Sequence, residues 1–301
     1  MTSKAFGLAQ LGNAYSDGAL SNRNKIINGA MVIDQRNAGA VFTSTGLFYS
    51  LDRWLLQAVG ATNTAQQVTG STGNNKAVLI TGNSGNTLTG FSQRIESWNI
   101  LDLAGQAVTL SFTLSGSAAS SVNIRRIYPT ATDNYTGTTE PDSSVPVFFT
   151  TTPTKYTVTF TLDAAANKGL WLYFDFGAVG SGVTRTLESV QLEAGDNAAT
   201  PFEHRSYGQE LALCKRYYQE QGQLIAKFDS PGVSTTRIVD YTLSPEMRAV
   251  PTVTIINGGE FTSISTTNRI GNTNKLVCID GTVGNIGNFG IVDRITFSAE
   301  L

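Results

Sequence analysis

The sequence has few charged residues, little cysteine and a single histidine. Charged residues make up 15% of its 301 positions and the formal net charge is −2. Because nucleic-acid binding depends on clustered positive charge, and no basic stripe is present, the composition argues against a nucleic-acid partner. His204, Cys214 and Cys278 are the whole supply of histidine and cysteine. They are too few for a His/Cys zinc cluster or a disulfide framework.

Long hydrophobic runs are also missing. No window reaches the ~18 apolar residues that a membrane-spanning helix needs. The first residues, MTSKAFGLAQLGNAYSDGALSNRN, do not place an apolar stretch behind a basic start, as a signal peptide would. The sequence therefore predicts a soluble protein without membrane insertion that is made in a cytoplasm. Any release from the cell would follow a route other than ordinary secretion.

What the sequence does contain is regular alternation of apolar and polar residues. It recurs in AVTLSFTLSG (107–116), KYTVTFTLD (155–163) and TLESVQLEAG (186–195). Strict period-two alternation of this length is typical of half-buried β-strands, and the loops between them are rich in turn-forming residues. The pattern predicts an all-β fold, with a jelly-roll β-sandwich followed by a short helix and a smaller C-terminal β-sandwich domain.

One predicted strand is apolar or aromatic on both faces. In GLWLYFDFG (169–177), alternate residues from Leu170 to Phe176 form one face, and Trp171, Tyr173 and Asp175 form the other. Sugar binding uses an aromatic ring against the C–H face of the sugar, together with a few polar groups. Trp171, Tyr173 and Asp175 are therefore candidate carbohydrate-binding residues. The alternative is that this face packs against a loop, the second sheet or another subunit.

A helical pattern interrupts the strands after Pro201. Ser206 is a candidate N-cap, with Gln209 three residues later. The residues Tyr207, Leu211, Cys214 and Tyr218 follow the spacing of a two-heptad seam. Because a lone helix of about twelve residues is marginal in water, this seam must be buried. It either folds onto its own sandwich or packs against copies from several other chains as a neck, the interpretation that the spacing favours.

These patterns divide the chain into four predicted parts. They are an N-terminal arm (1–25), a jelly roll (26–205), a helical neck (206–222) and a smaller C-terminal β domain (223–301). Of the two other tryptophans, Trp54 is predicted to lie in the core, and Trp98 in the core or an interface.

Three motifs carry a resemblance to a known family. NKIINGAMVIDQR, YSLDRWLL and ESVQLEAGDNAATPFEHRSYGQELALCKRYYQ resemble bacteriophage tail-fibre and virion-surface proteins, including those of cyanobacterial phages. The resemblance covers roughly residues 3–220. It implies a jelly roll similar to carbohydrate-binding modules, a homotrimer, a location in the virion and a role at the host surface. It also implies that a structural calcium is possible near Asn28–Asp34 and Glu188. No other cofactor is expected, and no metal ligand is assigned.

Enzyme signatures are absent from the sequence. It contains no nucleophile elbow, P-loop or HExxH motif, and His204 is interpreted as a residue of the strand-to-helix junction. Paired carboxylates for glycan cleavage can lie far apart in a chain. The candidates by position alone are Asp34, Asp52, Asp175, Glu188 and Glu193. The sequence predicts a non-enzyme.

The function that these observations favour is a structural virion protein, assembled in the host cytoplasm. We expect a homotrimeric tail fibre that attaches through its arm to other virion proteins and adheres to a host-surface glycan or receptor. Two alternatives stay open at this point. The first is a capsid decoration or tail-collar protein without receptor binding, and the second is a carbohydrate-binding module of a glycan-degrading system.

Overall fold

The computed structural model of the chain describes residues 22–71, 76–196, 199–222, 224–227, 235–257, 263–265, 276–283 and 289–301. It divides into two compact units. The first ends at Glu210, and the second spans Leu211–Glu300, with Leu301 grouped with the first. Residues 1–21 of the predicted arm lie outside the described residues.

The first unit is built from eleven described strands, as predicted for an all-β chain. They are β1 (Phe42–Leu51), β2 (Trp54–Thr69), β3 (Lys76–Thr81), β4 (Leu88–Ile95), β5 (Ala107–Gly116), β6 (Ser120–Ala131), β7 (Asn134–Thr139), β8 (Val145–Phe149), β9 (Thr154–Thr161), β10 (Leu170–Asp175) and β11 (Thr184–Ala194). Short helical segments connect some of them: α1 (Ser97–Ile100) and two 3-10 helices, Leu101–Leu103 and Ala164–Lys168.

The long strand β2 turns this sheet into a sandwich. Its first half, Leu55–Val59, pairs with β4, and its second half, Thr64–Thr69, pairs with β3. Gly60 lies between the halves with φ +88°, a backbone conformation that glycine adopts without strain. One layer is therefore β8-β6-β10-β4 with the first half of β2, and the other is the second half of β2 with β3-β11-β5-β9.

The core lies between these two layers. In β5 the predicted apolar face of Val108, Leu110, Phe112 and Leu114 is fully buried. Thr109 and Ser111 of the other face are buried as well, so this strand is covered on both sides rather than half-buried as predicted. Phe112 meets Phe174 of the opposite layer edge-to-face, with ring centroids 5.1 Å apart, a geometry that aromatic pairs prefer. Trp54 is also fully buried and stacks on Phe91 at 5.0 Å, which confirms its predicted place in the core.

Trp98, predicted to lie in the core or an interface, does not lie in the core. It lies on α1 and is 80% exposed. The four-residue helix α1 turns Ser97 and Ile100 inward, which leaves Trp98 outward.

The N-terminal segment, residues 22–29, is held by side chains. Both carboxylate oxygens of Glu203 accept backbone N–H groups, from Asn22 at 2.6 Å and from Asn24 at 2.7 Å. The amide of Gln93 bonds to both the N–H and the C=O of Ile27, at 2.9 and 2.7 Å. For the buried residues Asn24 and Ile27, these bonds satisfy backbone groups that would otherwise lack partners.

Arg205 and Glu210 complete this set of contacts. Arg205 donates to the backbone carbonyls of Asn24 and Ile26, and Glu210 accepts the N–H of Asn28. Residues 22–28, which include part of the predicted arm, are therefore bound into the first unit. We call Gln93, Glu203, Arg205 and Glu210 the anchoring residues.

The predicted helix is present but shorter than expected. Helix α2 spans Tyr207–Lys215, and Ser206 caps it as predicted. The Ser206 hydroxyl accepts the N–H of Gln209 at 3.3 Å, while the Gln209 side chain accepts the N–H of Ser206 at 3.1 Å. The helix ends before residue 218, because Tyr218–Gln221 form strand β12, which pairs with β18. The predicted helix of about twelve residues, with a seam that runs to Tyr218, was therefore wrong at its C-terminal end.

The second unit is also β-structure. Its strands are β12 (Tyr218–Gln221), β13 (Leu224–Lys227), β14 (Thr235–Thr242), β15 (Thr252–Asn257), β16 (Ser263–Ser265), β17 (Leu276–Val283) and β18 (Phe289–Ser298). Strands β12, β13 and β15 pair with β18, and β14 and β16 pair with β17. The alternating residues Ile295, Phe297 and Ala299 are buried.

We expect Glu203→Gln to lower the free energy of unfolding of the first unit by about 1.5–3 kcal/mol, because it removes a buried charged acceptor of two backbone bonds. All three tryptophans lie in this unit, so tryptophan fluorescence during urea unfolding reports on it alone. Asp102→Asn, on an exposed ion pair with Lys25, is the control and should change the value by less than about 0.5 kcal/mol. Equal effects of the two substitutions would contradict the anchoring role.

Candidate functional site

The three candidate sugar-binding residues share one face of β10. Leu170, Leu172 and Phe174 are fully buried in the core, so Trp171, Tyr173 and Asp175 point to the opposite side of the layer. This arrangement confirms the predicted alternation. It does not by itself decide what the face binds.

Neighbouring strands extend this outward surface. Strand register places Arg94 and Ser92 of β4 beside Trp171 and Tyr173. On the other side, Arg125 and Asn123 of β6 lie beside Tyr173 and Asp175. We call this surface of β8, β6, β10, β4 and the first half of β2 the outer face. From Ser121 to Ile127 it extends for about 20 Å along β6 at the usual rise per residue.

Tyr173 lies flat on the outer face and is only 1% exposed. Its hydroxyl donates to Oε1 of Gln57 at 2.6 Å, so the ring crosses β4 where Gly90 provides space. A Cβ at Gly90 would come within 1.7 Å of that hydroxyl. Arg125 lies above the ring, with Cζ 5.3 Å from its centroid. Tyr173 is therefore part of the floor of the surface, beneath a cation.

Trp171 is partly exposed and is covered in a similar way. The guanidinium of Arg94 lies 4.4 Å from its ring centroid, and Tyr135 meets it edge-to-face at 6.2 Å. Nε1 of Trp171 and Oγ of Ser92 are buried without a hydrogen-bond partner in the described part of the chain. Because buried polar groups are normally paired, these two atoms mark the part of the outer face with unmet hydrogen-bonding capacity.

The most exposed aromatic ring of the outer face was not predicted from sequence. Phe148 of edge strand β8 is 77% exposed and pairs in register with Ser121. It borders a shallow depression of about 450 Å³ that Ser120, Ser121 and Thr150 also line. The pattern VPVFF contains the signal, because adjacent Phe148 and Phe149 must point to opposite faces of a strand.

The charges around Asp175 are paired. Arg125 binds Glu140 through two bonds, Nε to Oε1 at 2.8 Å and Nη2 to Oε2 at 2.6 Å. Its Nη1 lies 3.4 Å from Oδ2 of Asp175. The hydrogen bonds that Arg125 donates to Glu140, opposed in part by desolvation, raise the pKa of Arg125 above its ordinary value. Arg125 therefore stays charged and fixed between two carboxylates.

The predicted trimer-interface residues differ in their exposure. Tyr207 is 64% exposed and Leu211 is partly buried, whereas Cys214 is fully buried and Tyr218 is 7% exposed. Tyr218 belongs to β12 rather than to the helix. Of these four residues, Tyr207 and Leu211 are therefore the ones that present helix surface to solvent.

The carboxylates considered for catalysis each accept hydrogen bonds from nearby loops or turns. Asp34 accepts the N–H of Gly39, Asp52 that of Gln35, Glu188 that of Ser71, Glu193 that of Thr200 and Asp175 that of Gly177. These bonds give each acid a structural role. His204 is exposed and packs against Phe202 at 5.0 Å.

The described residues do not form a metal-binding cluster of three or more His, Cys, Asp or Glu side chains. The oxygens of Asp34 and Glu188, which lie where the resemblance implies calcium, instead accept N–H groups. Within the same part of the chain, each helix lacks the length and apolar character that crossing a membrane needs.

Comparison with known proteins found similar structures but no sequence family. No family model matches the chain, and no curated protein matches it. A CBM4 module is 19% identical, with a TM-score of 0.37, over 56% of this chain and 98% of its own. A family 11 carbohydrate-binding module from Clostridium thermocellum, in complex with a β-1,3-1,4-mixed-linked tetrasaccharide, is 15% identical, with a TM-score of 0.36, over 52% and 99%.

A phage protein is also among the similar structures. The enzymatically active domain of tailspike protein 4 from bacteriophage CBA120 is 14% identical, with a TM-score of 0.38. The match covers 58% of this chain and 22% of that one. At TM-scores this low, the likenesses decide nothing about the function of this chain.

Burial of three tyrosines leads to a pH prediction. Desolvation raises the pKa of Tyr128, Tyr135 and Tyr173 in the folded protein. The unfolded chain therefore loses these protons first, so the stability they contribute is intact below about pH 10 and is lost as the pH rises above it.

We expect the urea midpoint of the first unit, followed by tryptophan fluorescence, to change little from about pH 8 to 9 and to fall above about pH 10. Tyr173→Phe removes one of the three ionising groups and should make the fall shallower. A midpoint that stays constant to about pH 12 in the wild type would contradict the prediction.

Proposed function

We propose that the chain is a glycan-binding virion protein of a bacteriophage and that the outer face holds the glycan. The observation that carries the glycan site is Phe148, an exposed ring on a sheet edge beside polar groups of the same face. An aromatic ring can cover the C–H face of a sugar, while nearby hydroxyl, amide and carboxylate groups bind its hydroxyls.

The groups for hydroxyl recognition lie next to Phe148. Ser121 of β6 is its direct partner. Exposed Asn123 lies two residues further along β6 and pairs with partly exposed Asp175 of β10. Phe148 and Asp175 are separated by two strand spacings, roughly 10 Å across the sheet. Because these groups project from paired strands, their spacing is fixed before a ligand arrives, and little ordering cost accompanies binding.

The predicted residues take different roles in this proposal. Asp175 is a direct contact, and Trp171 is a contact at the far end of the outer face. Tyr173 is buried and instead supports the floor beneath Arg125. The site therefore consists of a row of partly exposed groups rather than a stack of open rings.

The virion location rests on the motifs that resemble phage tail-fibre and virion-surface proteins. Several residues of these motifs, including Asn24, Glu203, Arg205 and Glu210, make the contacts that hold the N-terminal segment. In the proposed particle, residues before Asn22 attach to other virion proteins, and the first unit faces the host. Weak binding at each site is multiplied when several copies act together.

We expect Phe148→Ala to weaken glycan binding at least tenfold, because it removes an apolar contact of about 1.5–3 kcal/mol. The measurement is a glycan array followed by calorimetry with the strongest binder. Phe48→Ala is the matched control, since Phe48 is also exposed, at 52%, but pairs with buried Leu56 and so lies off the outer face. Equal losses in the two variants would contradict the site.

The proposed homotrimer uses the exposed surface of α2. We expect light scattering to give the mass of three chains for the wild type, and of one chain for the double variant Tyr207→Ser and Leu211→Ser, because both apolar contacts are lost. Phe48→Ser, which removes an exposed apolar side chain elsewhere, should leave the trimer intact. A wild-type protein with the mass of one chain would rule out the proposed assembly.

A further inference from the structure

Glu140 occupies the side of Arg125 that a ligand carboxylate would use. It lies in the exposed connection between β7 and β8 and binds Nε and Nη2 of Arg125 at 2.8 and 2.6 Å. Two parallel bonds to one edge of a guanidinium are the geometry in which arginine recognises carboxylates. With Glu140 in place, that edge is filled.

The remaining edge of Arg125 is also beside an acid. Nη1 lies 3.4 Å from Asp175, and the guanidinium covers the ring of Tyr173. This group of side chains therefore contains one positive and two negative charges. A carboxylate on an arriving glycan would meet two carboxylates and no available guanidinium edge, and like charges brought together select against a ligand.

We propose that Glu140 is a specificity-determining residue that restricts the outer face to uncharged glycans. This inference rests on the proposed glycan-binding function and goes beyond it by assigning the charge class of the ligand. Its consequence is specific: without Glu140, Arg125 presents a free edge toward solvent, and the face accepts glycans that carry a carboxylate.

The Arg125–Glu140 pair can be altered without disturbing the core. Their side chains are 31% and 28% exposed, and Glu140 lies outside the strands. Arg125 keeps its contacts with Asp175 and Tyr173 when Glu140 is removed. The variant Glu140→Ala is therefore expected to fold as the wild type does.

The test compares wild type and Glu140→Ala on an array of neutral oligosaccharides and their counterparts with uronic or sialic acid, including oligogalacturonate and its methyl ester. Wild type should bind a neutral glycan with affinity that changes little with salt. In Glu140→Ala, the affinity for the acidic counterpart relative to that for the neutral glycan should rise at least about tenfold compared with wild type. Added salt should weaken this gain.

Asp102→Ala is the control, because it removes a carboxylate from an exposed ion pair with Lys25 and changes the net charge equally. This substitution should leave the relative affinity for neutral and acidic glycans as it is in wild type. Wild-type preference for acidic glycans, or an unchanged preference in Glu140→Ala, would overturn the role of Glu140 while leaving glycan binding intact. Absence of binding to every glycan by every variant would overturn the proposed function, and the role of Glu140 with it.

Discussion

The first unit depends on how the N-terminal segment finds hydrogen-bond partners for its backbone N–H and C=O groups. Most buried chains gain these hydrogen bonds as strands or helices, whereas residues 22–29 gain many of theirs from side chains. Glu203 and Gln93 supply acceptors and donors to Asn22, Asn24 and Ile27. Because charged acceptors within a protein are costly to leave unpaired, each anchoring residue and its backbone partner require one another. This dependence ties the beginning of the sandwich to its end.

The outer face follows from the same sandwich. Burial of Phe174 against Phe112 fixes β10 between β4 and β6, and alternation then turns Trp171, Tyr173 and Asp175 outward. The rings of Trp171 and Tyr173 could not remain uncovered on a protein surface without exposing a large apolar patch. Arg94 and Arg125 cover them with guanidinium groups, which leaves a surface that is flat, polar and rigid, with Phe148 as its exposed ring.

Sequence patterns could predict what depends on local periodicity. Alternation identified β5, β9, β10 and β11 and the shared face of Trp171, Tyr173 and Asp175, while Ser206 and Gln209 identified the start of α2. The pairing of strands was beyond such patterns, because it depends on contacts distant in sequence. Phe148 comes beside Ser121 only through the register of β8 with β6, and Glu140 reaches Arg125 from a loop fifteen positions away.

The short helix illustrates the same limit of local patterns. Its heptad-like spacing indicated a seam, yet the chain leaves the helix after Lys215 and enters a strand at Tyr218. What the spacing could not reveal is the role of Glu210, a charged residue within an apolar pattern. Glu210 is 4% exposed and accepts the N–H of Asn28, so α2 carries an anchoring residue. A helix of nine residues that is marginal alone is thereby fixed at its first turn to the N-terminal segment. This explains its presence in a β protein whether or not other chains pack against its exposed side.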